Sequence, residues 1–368
     1  MNKALSAGEV ESRQTWRTKA RSLGLNPESP IYAIGFSRPF RTYVKRFFQG
    51  SPIRFVPSGH QVPAGHVAVI WGRKHPEGLN NQCILLRVED GFLRSVGLGI
   101  QFAAPLSWVV DSKGLYFDAT GPSDIEVILN HQDFSAGVLK RAAQLREAIC
   151  AGRISKYNTA GKPWVRPEHP EVILVPGQVE SDASIAWGAT RIRTNLELVQ
   201  AVRVANPDAW VVYKPHPDVV AGARIAGSSE SEISRYCDQI EAHASLNDML
   251  EQCDEVHVNT SLTGFEALLR HKSVTCYGLP FYAGWGLTTD ISPCQRRKRE
   301  RTLDELVAAT LIEYPLYVSR ASGEHTTPED ILNELTLWRE QSHTWTHRFR
   351  AHCGKAIRNL ANLLTGTK

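Results

Sequence analysis

Ala209-Trp210-Val211-Val212-Tyr213-Lys214-Pro215-His216-Pro217-Asp218 reads as an apolar strand that stops at a histidine held between two prolines. Each proline ring fixes its own φ and restricts the residue before it, so no helix runs through the segment and His216 is pinned at a strand exit. Further along, Asn259-Thr260-Ser261-Leu262-Thr263-Gly264-Phe265-Glu266 follows a second strand candidate, Glu255–Val258. It sets Thr260, Ser261 and Gly264 at the mouth of a helix expected over Phe265–His271, where unpaired N–H groups and the helix dipole favour a phosphate. Glu266, one turn in, suits the hydroxyls of a ribose. The two segments together suggest a nucleotide-sugar site.

Working outward, short apolar runs alternate with helix-like stretches along most of the chain. Strands are expected at Ile31–Phe36, Ile53–Val56, Val67–Trp71, Ile84–Val88 and Trp108–Asp111, then at Val172–Val175, Ala209–Tyr213, Glu255–Val258 and Val274–Tyr277. Helices are expected at Phe40–Phe48, Ile125–His131, Val138–Ala151, Asn195–Ala205 and Leu246–Gln252. Such alternation predicts an α/β protein with parallel sheets covered by helices. The Pro-rich segment Gly161–Pro170 has no periodicity and is the candidate linker between two such domains. After Thr302 the chain reads as mostly helical, able to cross back over the first domain. Ligands of open α/β sheets bind beyond the carboxyl ends of strands, which is where Asp182, His216 and Thr260–Glu266 fall, so one cleft is expected to hold all three.

The segment Pro176-Gly177-Gln178-Val179-Glu180-Ser181-Asp182 leaves a strand through Pro-Gly and presents two carboxylates. Asp182 is the nucleophile candidate, because a carboxylate can form a covalent glycosyl intermediate. Asp182 or Glu180 would equally serve as the charge at a helix N-terminus. In Arg87-Val88-Glu89-Asp90-Gly91-Phe92-Leu93-Arg94-Ser95-Val96-Gly97-Leu98-Gly99, Glu89 suits deprotonation of an acceptor hydroxyl and Arg94 suits a substrate carboxylate or phosphate. The same residues also fit a plain Asp90-Gly91 turn with a Glu89–Arg94 salt bridge. No GxGxxG opens a helix, which disfavours a dinucleotide-binding dehydrogenase. The loop Tyr277–Thr288, rich in glycine and aromatics, suits a flat ligand or a sugar, or else plugs an interdomain groove. Trp71-Gly72-Arg73-Lys74 offers positive charge or a solvated loop, and Lys214 beside His216 suits a phosphate or a surface ion pair.

Composition narrows the class. The chain of 368 residues is 42% hydrophobic and 22% charged, with a net charge of +4. No apolar run approaches the roughly 18 residues a membrane span needs, and the N-terminus has no apolar signal core, so a cytoplasmic location is expected. Seven scattered cysteines without CxxC spacing argue for reduced thiols and against a zinc site. Positive charge gathers in Arg296-Arg297-Lys298-Arg299 and in the tail at Arg348, Arg350, Lys355, Arg358 and Lys368. These patches face solvent or attract an anionic membrane surface, giving a peripheral contact at the inner membrane; nucleic acid is not an expected partner.

The segments EDGFLRSVGLG, PLSWVVDSKGLYFDATGPSDIEVIL, ILVPGQVESDAS, VVYKPHPDVVAG, SLTGFEALL and CYGLPFYAGWGLT, in this order, resemble the capsular polysaccharide KpsC and KpsS (LipA and LipB) family, most closely the C-terminal module of KpsC. The resemblance runs from about residue 30 to 320. It implies a GT-B-like fold of two Rossmann-like domains: 1–160 on the acceptor side, 171–320 binding a CMP-sugar donor, and 321–368 as C-terminal helices and basic tail. The implied activity is a retaining β-Kdo transferase that uses CMP-β-Kdo and no metal or other cofactor. Its implied acceptor is a Kdo-terminated glycolipid, with the capsule assembly machinery as a further partner. Asp182 then matches the catalytic aspartate, and Glu89 and Asp90 the acidic pair at the acceptor. Lys214 and His216 match positions facing the CMP phosphate, Thr260 and Ser261 the hydroxyl pair near the nucleotide, and Glu266 the ribose-binding glutamate. Gln178, Gly264 and Arg94 complete the expected substrate contacts. KpsC proteins carry two such modules in tandem, so one module implies one linkage type. Ser181 also stands where an acidic residue is commoner. Rival readings are a CMP-sugar transferase with another sugar or an inverting course, and a non-catalytic export or assembly protein.

Overall fold

A computed structural model describes residues 14–97, 103–156, 158, 161–222, 224, 227 and 230–342. The basic tail from Arg348 to Lys368, the first residues of the N-terminal stretch, and Leu98 and Gly99 of the glycine-rich segment lie outside the described residues. The chain forms two units, one within Met1–Ser112, Ile154–Thr159 and Leu311–Lys368, the other within Lys113–Arg153 and Ala160–Thr310.

The first unit is built on β1 (Ile31–Ile34), β2 (Ile53–Val56), β3 (Val67–Trp71), β4 (Ile84–Asp90), β5 (Ser107–Asp111) and β12 (Pro315–Tyr317). Their order is β12-β5-β4-β3-β1-β2, with β2, β1, β3 and β4 parallel and β5 antiparallel to both of its neighbours, β4 and β12. β1 is buried at all four positions because both of its faces are covered. Alternate side chains go to opposite faces. Ile31 and Ala33 join Val44, Phe47, Leu86, Val88 and Trp108, while Tyr32 and Ile34 join Val62 and Ala68. Phe47 stacks on Trp108 with ring centroids 4.4 Å apart, which anchors helix α2 (Arg38–Phe47) to the sheet. Burial of a side chain of this size stabilises by about 1.5–3 kcal/mol. Helices α1 (Trp16–Ser22) and α11 (Pro328–Ser342) complete the unit.

The second unit has six parallel strands: β6 (Val172–Pro176), β7 (Trp210–Lys214), β8 (Gln239–Ile240), β9 (Glu255–Val258), β10 (Ser273–Cys276) and β11 (Thr289–Asp290). Their order is β11-β10-β9-β6-β7-β8, so the chain steps outward from β6 to β8 and then returns to β6's other side at β9. This is the doubly wound Rossmann order. The helices are α3 (Asp124–His131), α4 (Ala136–Ala151), α5 (Ala183–Gly188), α6 (Asn195–Ala205), α7 (Pro217–Val220), α8 (Leu246–Gln252), α9 (Leu262–Leu268) and α10 (Leu303–Val307). On α6 the helically spaced Leu198, Val199 and Val202 pack on Ile173 and Val175 of β6, and Thr194 with Glu197 closes a capping box at its start.

Several expectations change. Residues 161–170 are not a linker but part of the second unit: Lys162 N–H donates to His243 O at 2.8 Å, Trp164 is buried, and Arg166 pairs with Asp254 at 2.5 Å. Helices α3 and α4, placed before a boundary at residue 160 on sequence grounds, also belong to that unit. After the short α10 a π-helical stretch over Ala308–Glu313 leads into β12, an edge strand of the first sheet, ahead of α11. Only part of the basic run is solvated: Lys298 is exposed and Arg299 half-exposed. Arg296 and Arg297 both grip the buried Glu126, Arg297 also donates to Ala283 O at 2.6 Å, and Arg299 pairs with Asp133 at 2.7 Å. Among the described residues, no helix is long and apolar enough to cross a membrane.

Candidate active site

In the second sheet the strand order reverses between β6 and β9. Loops leaving neighbouring strands there diverge to opposite faces, which leaves a crevice beyond their carboxyl ends. Gln178 leaves β6 and Thr260 leaves β9, and the two side chains meet at this point. Thr260 N–H donates to Gln178 Oε1 at 2.9 Å, and Gln178 Nε2 donates to Thr260 Oγ1 at 3.0 Å. The pairing fixes which way the Gln178 amide faces. Its main chain is held as firmly, with Gln178 N–H bonded to Asn195 Oδ1 and Asn195 Nδ2 bonded to Gln178 O, both at 2.9 Å.

The two carboxylates on this loop part company. Glu180 accepts Asn195 N–H at 2.8 Å, so it is a charge at the start of α6. Asp182 is the N-cap of α5 through its backbone, yet its side chain makes no capping bond. The Asp182 carboxylate is 41% exposed and lies 3.7 Å from Arg224 Nη2. A carboxylate that neither caps its helix nor is buried is available for chemistry.

At the end of β7, His216 caps α7: its Nδ1 accepts Asp218 N–H at 3.1 Å. In the neutral ring the proton therefore sits on Nε2, which becomes a donor. Lys214 instead turns to the main chain, donating to Ala244 O at 2.7 Å and Glu241 O at 3.4 Å, and burial lowers its pKa against the pull of Glu241. The surface ion pair considered for Lys214 is replaced by these carbonyl bonds.

At the end of β9, helix α9 begins at Leu262, three residues earlier than expected, with Ser261 as its cap. Ser261 Oγ accepts Thr263 N–H at 3.2 Å and donates to Thr263 Oγ1 at 3.1 Å. Gly264 thus lies within the helix rather than at its mouth, and Gly264 and Glu266 are both buried. A Cβ at residue 264 would collide with the Tyr282 hydroxyl, so packing by itself demands this glycine. The 277–288 loop does not offer its rings to a flat ligand: Phe281, Tyr282 and Trp285 are buried, with Phe281 against Phe265 and Tyr116.

In the first unit, Glu89 and Asp90 are the last residues of β4. Arg94 pairs with Asp90 rather than with Glu89, its Nε 2.5 Å from Asp90 Oδ2, and also donates to Ser95 Oγ at 2.8 Å. At 4% exposure its guanidinium is committed to the protein. Glu89 is half-buried, and burial foremost, then the neighbouring Asp90 charge, push its pKa up to about 7. Asp90 N–H, Lys156 and Arg94 pull the other way. A carboxyl near neutrality suits a general base.

The structure thus brings Gln178 and Thr260 into direct contact, sets Asp182 on the same exit as Gln178, and seats Lys214 at the end of the adjoining strand β7 with His216 just beyond it. Arg224 and Asn195 were missed. Asn195 carries no signal beyond a helix start, while Arg224 is the one charged residue of Ala221-Gly222-Ala223-Arg224-Ile225-Ala226-Gly227. Among the described residues, no group of three or more His, Cys, Asp and Glu side chains is gathered to hold a metal ion.

Two Rossmann-like α/β sheets, the second with a polar cluster at its switch point, define a doubly wound α/β protein. The chain belongs to the capsule polysaccharide biosynthesis protein family, whose model matches residues 68–168 and 159–317. It is similar to the capsule polysaccharide modification protein LipA of Neisseria meningitidis serogroup B, with 44% identity over 300 residues, 78% of this chain and 43% of that protein. The chain therefore spans less than half of the length of LipA. Among solved structures it is similar to the KpsC beta Kdo 2,7 transferase of Thermosulfurimonas dismutans, with 40% identity and a TM-score of 0.71 over 84% of this chain and 99% of that one. The KpsC beta Kdo 2,4 transferase of the same organism gives 34% identity and a TM-score of 0.75 over 84% and 98%.

Proposed function

We propose that the chain is a retaining β-Kdo transferase of capsule polysaccharide synthesis, moving Kdo from CMP-β-Kdo to a Kdo-terminated glycolipid. The observation that carries the reading is Asp182, a half-exposed carboxylate that makes no capping bond at the exit of β6, in a chain that matches 99% of a solved Kdo transferase chain. On this reading the two α/β units are the domains of a GT-B-like enzyme acting peripherally at the cytoplasmic face of the inner membrane.

An Asp182 oxygen attacks the anomeric carbon of Kdo, the bond to the phosphate oxygen breaks, and CMP leaves with the electron pair. The His216 Nε2–H donor and Lys214 assist that departure. The acceptor hydroxyl then attacks the same carbon from the opposite face, gives its proton to Glu89, and releases Asp182. Two inversions give net retention. Of the two acidic residues ending β4, Glu89 is the better base, because Asp90 is tied to Arg94 and Glu89 titrates at about 7. Gln178 and Thr260 brace the donor loop, and Glu266 is assigned to the ribose. The charge on CMP is stabilised by protein groups, so no metal is invoked.

The test is to incubate the purified protein with CMP-Kdo and a Kdo-terminated acceptor, with and without a chelator. Transfer with a β-linked product, unchanged by the chelator, is expected. Asp182→Ala should reduce transfer by 10³-fold or more, roughly what losing a nucleophile costs, while still binding CMP. An active Asp182→Ala enzyme rules out the adduct, an α-linked product rules out retention, and absence of CMP release by the wild type points to glycolipid binding without catalysis.

A further inference from the structure

Among the described residues Asp182 has one ion-pair partner, Arg224, at 3.7 Å. The Arg224 side chain is 50% exposed and makes no tight hydrogen bond to the carboxylate. Its backbone is anchored: Arg224 N–H donates to Asp218 O at 3.1 Å, in the turn that His216 caps. In the same loop Gly227 lies so close to the Glu180 carboxylate that a Cβ would collide with it. The loop after β7 is thus seated on the exit of β6, with a guanidinium beside the reactive carboxylate. Of the other cations, Lys214 is held by main-chain carbonyls on the phosphate side of the site, and Arg94 is bonded to Asp90 and Ser95 in the first unit.

A nucleophilic carboxylate must be approached here by a sugar that is itself an anion. Two like charges about 4 Å apart repel, and the repulsion grows as water is removed from between them. In a 2-keto sugar acid the carboxylate is attached to the very carbon that Asp182 attacks. An arginine within one contact of the Asp182 oxygen is then within reach of that carboxylate, and its planar fork matches it with two parallel bonds. Exposed ion pairs at such distances are weak, so the guanidinium can exchange Asp182 for the sugar and release the nucleophile. Resting on the function proposed above, we infer that Arg224 binds the carboxylate of the donor sugar and makes the site selective for CMP-activated 2-keto sugar acids over neutral sugars. Asp182 and the sugar carboxylate share one cation in sequence: the first while the site waits, the second during attack.

The test compares wild type, Arg224→Gln and Arg224→Lys in three measurements: transfer from CMP-Kdo, binding of CMP alone by calorimetry, and melting temperature. Arg224→Gln should lower kcat/KM for CMP-Kdo on the order of 10–100-fold, the loss expected for a charged hydrogen-bond pair. CMP affinity and melting temperature should stay near wild type in both variants, and Arg224→Lys should recover part of the rate. Unchanged turnover in Arg224→Gln overturns the assignment. So does an equal loss of CMP affinity, which would make Arg224 a phosphate ligand, and so does a lowered melting temperature with lost CMP binding, which would make its role structural. A wild type that transfers normally beside an unaffected Arg224→Gln removes this inference alone, whereas a wild type inactive with CMP-Kdo removes the proposed function and this inference with it.

Discussion

Glu89 couples the solution pH to both the reaction and the fold. Its pKa is raised from 4.5 to about 7, so between those values the folded chain keeps a proton that the unfolded chain releases. The folded state binds more protons in that window, and stability from this group falls as pH rises through it. Glu89→Gln should therefore raise the urea midpoint at pH 8, by the equivalent of about 1–3 kcal/mol after allowance for partial exposure, and change it little at pH 5. A base must be ionised to act, so wild-type kcat/KM should drop about tenfold per pH unit below about 7. The Gln variant should lose that limb together with most of its rate. Equal midpoint shifts at pH 5 and pH 8 would show that Glu89 titrates normally.

At the scale of elements, the basic run shows how a charge pattern can mislead. Arg296-Arg297-Lys298-Arg299 reads in sequence as a surface patch, because nothing local reveals Glu126 waiting far upstream. In the fold Glu126 is buried between two arginines, and one of them, Arg297, also ties α3 to the Tyr277–Thr288 loop. Arg297→Ala should cost about 1–3 kcal/mol, since it removes a buried charged hydrogen bond but leaves Arg296 on Glu126, while Lys298→Ala should cost under about 0.5 kcal/mol. Urea denaturation of the two variants checks this. The long strands were legible because parallel strands covered on both faces must be apolar throughout, as at β1, β3 and β6. β8 and β11 have two residues each and β12 has three, too few to show a period. The aromatic loop leaves two readings open for a related reason. Phe281, Tyr282 and Trp285 have the composition of a stacking platform, and only burial distinguishes that from a core.

For the whole molecule, the two units interleave along the chain, with Lys113–Arg153 folding into the second although it precedes the Pro-rich segment. Within that unit Arg146 of α4 pairs with Asp304 of α10 at 3.2 Å, and Cys150 Sγ lies 3.2 Å from Leu269 O. A fragment of residues 171–320 lacks α3 and α4 and should be unfolded or aggregated, whereas residues 113–310 should melt cooperatively and bind CMP. Circular dichroism melts and calorimetry separate the two, and a stable 171–320 fragment would restore the boundary read from sequence.

The amino-acid sequence by itself determined that this is an α/β protein with polar loops at strand ends, where Asp182, His216 and Thr260 fall, and its motifs were enough to show the family. These features are local, set by alternation, proline geometry and the residues next to them in the chain. Tertiary structure alone decided that Gln178 clasps Thr260 across the switch point, that Arg94 is spent on Asp90, that Arg224 stands beside Asp182, and that Glu89 titrates near neutrality. Each of these depends on which distant residues the fold brings within a few ångströms and on how much water it removes from between them, and neither quantity is written in the order of the residues.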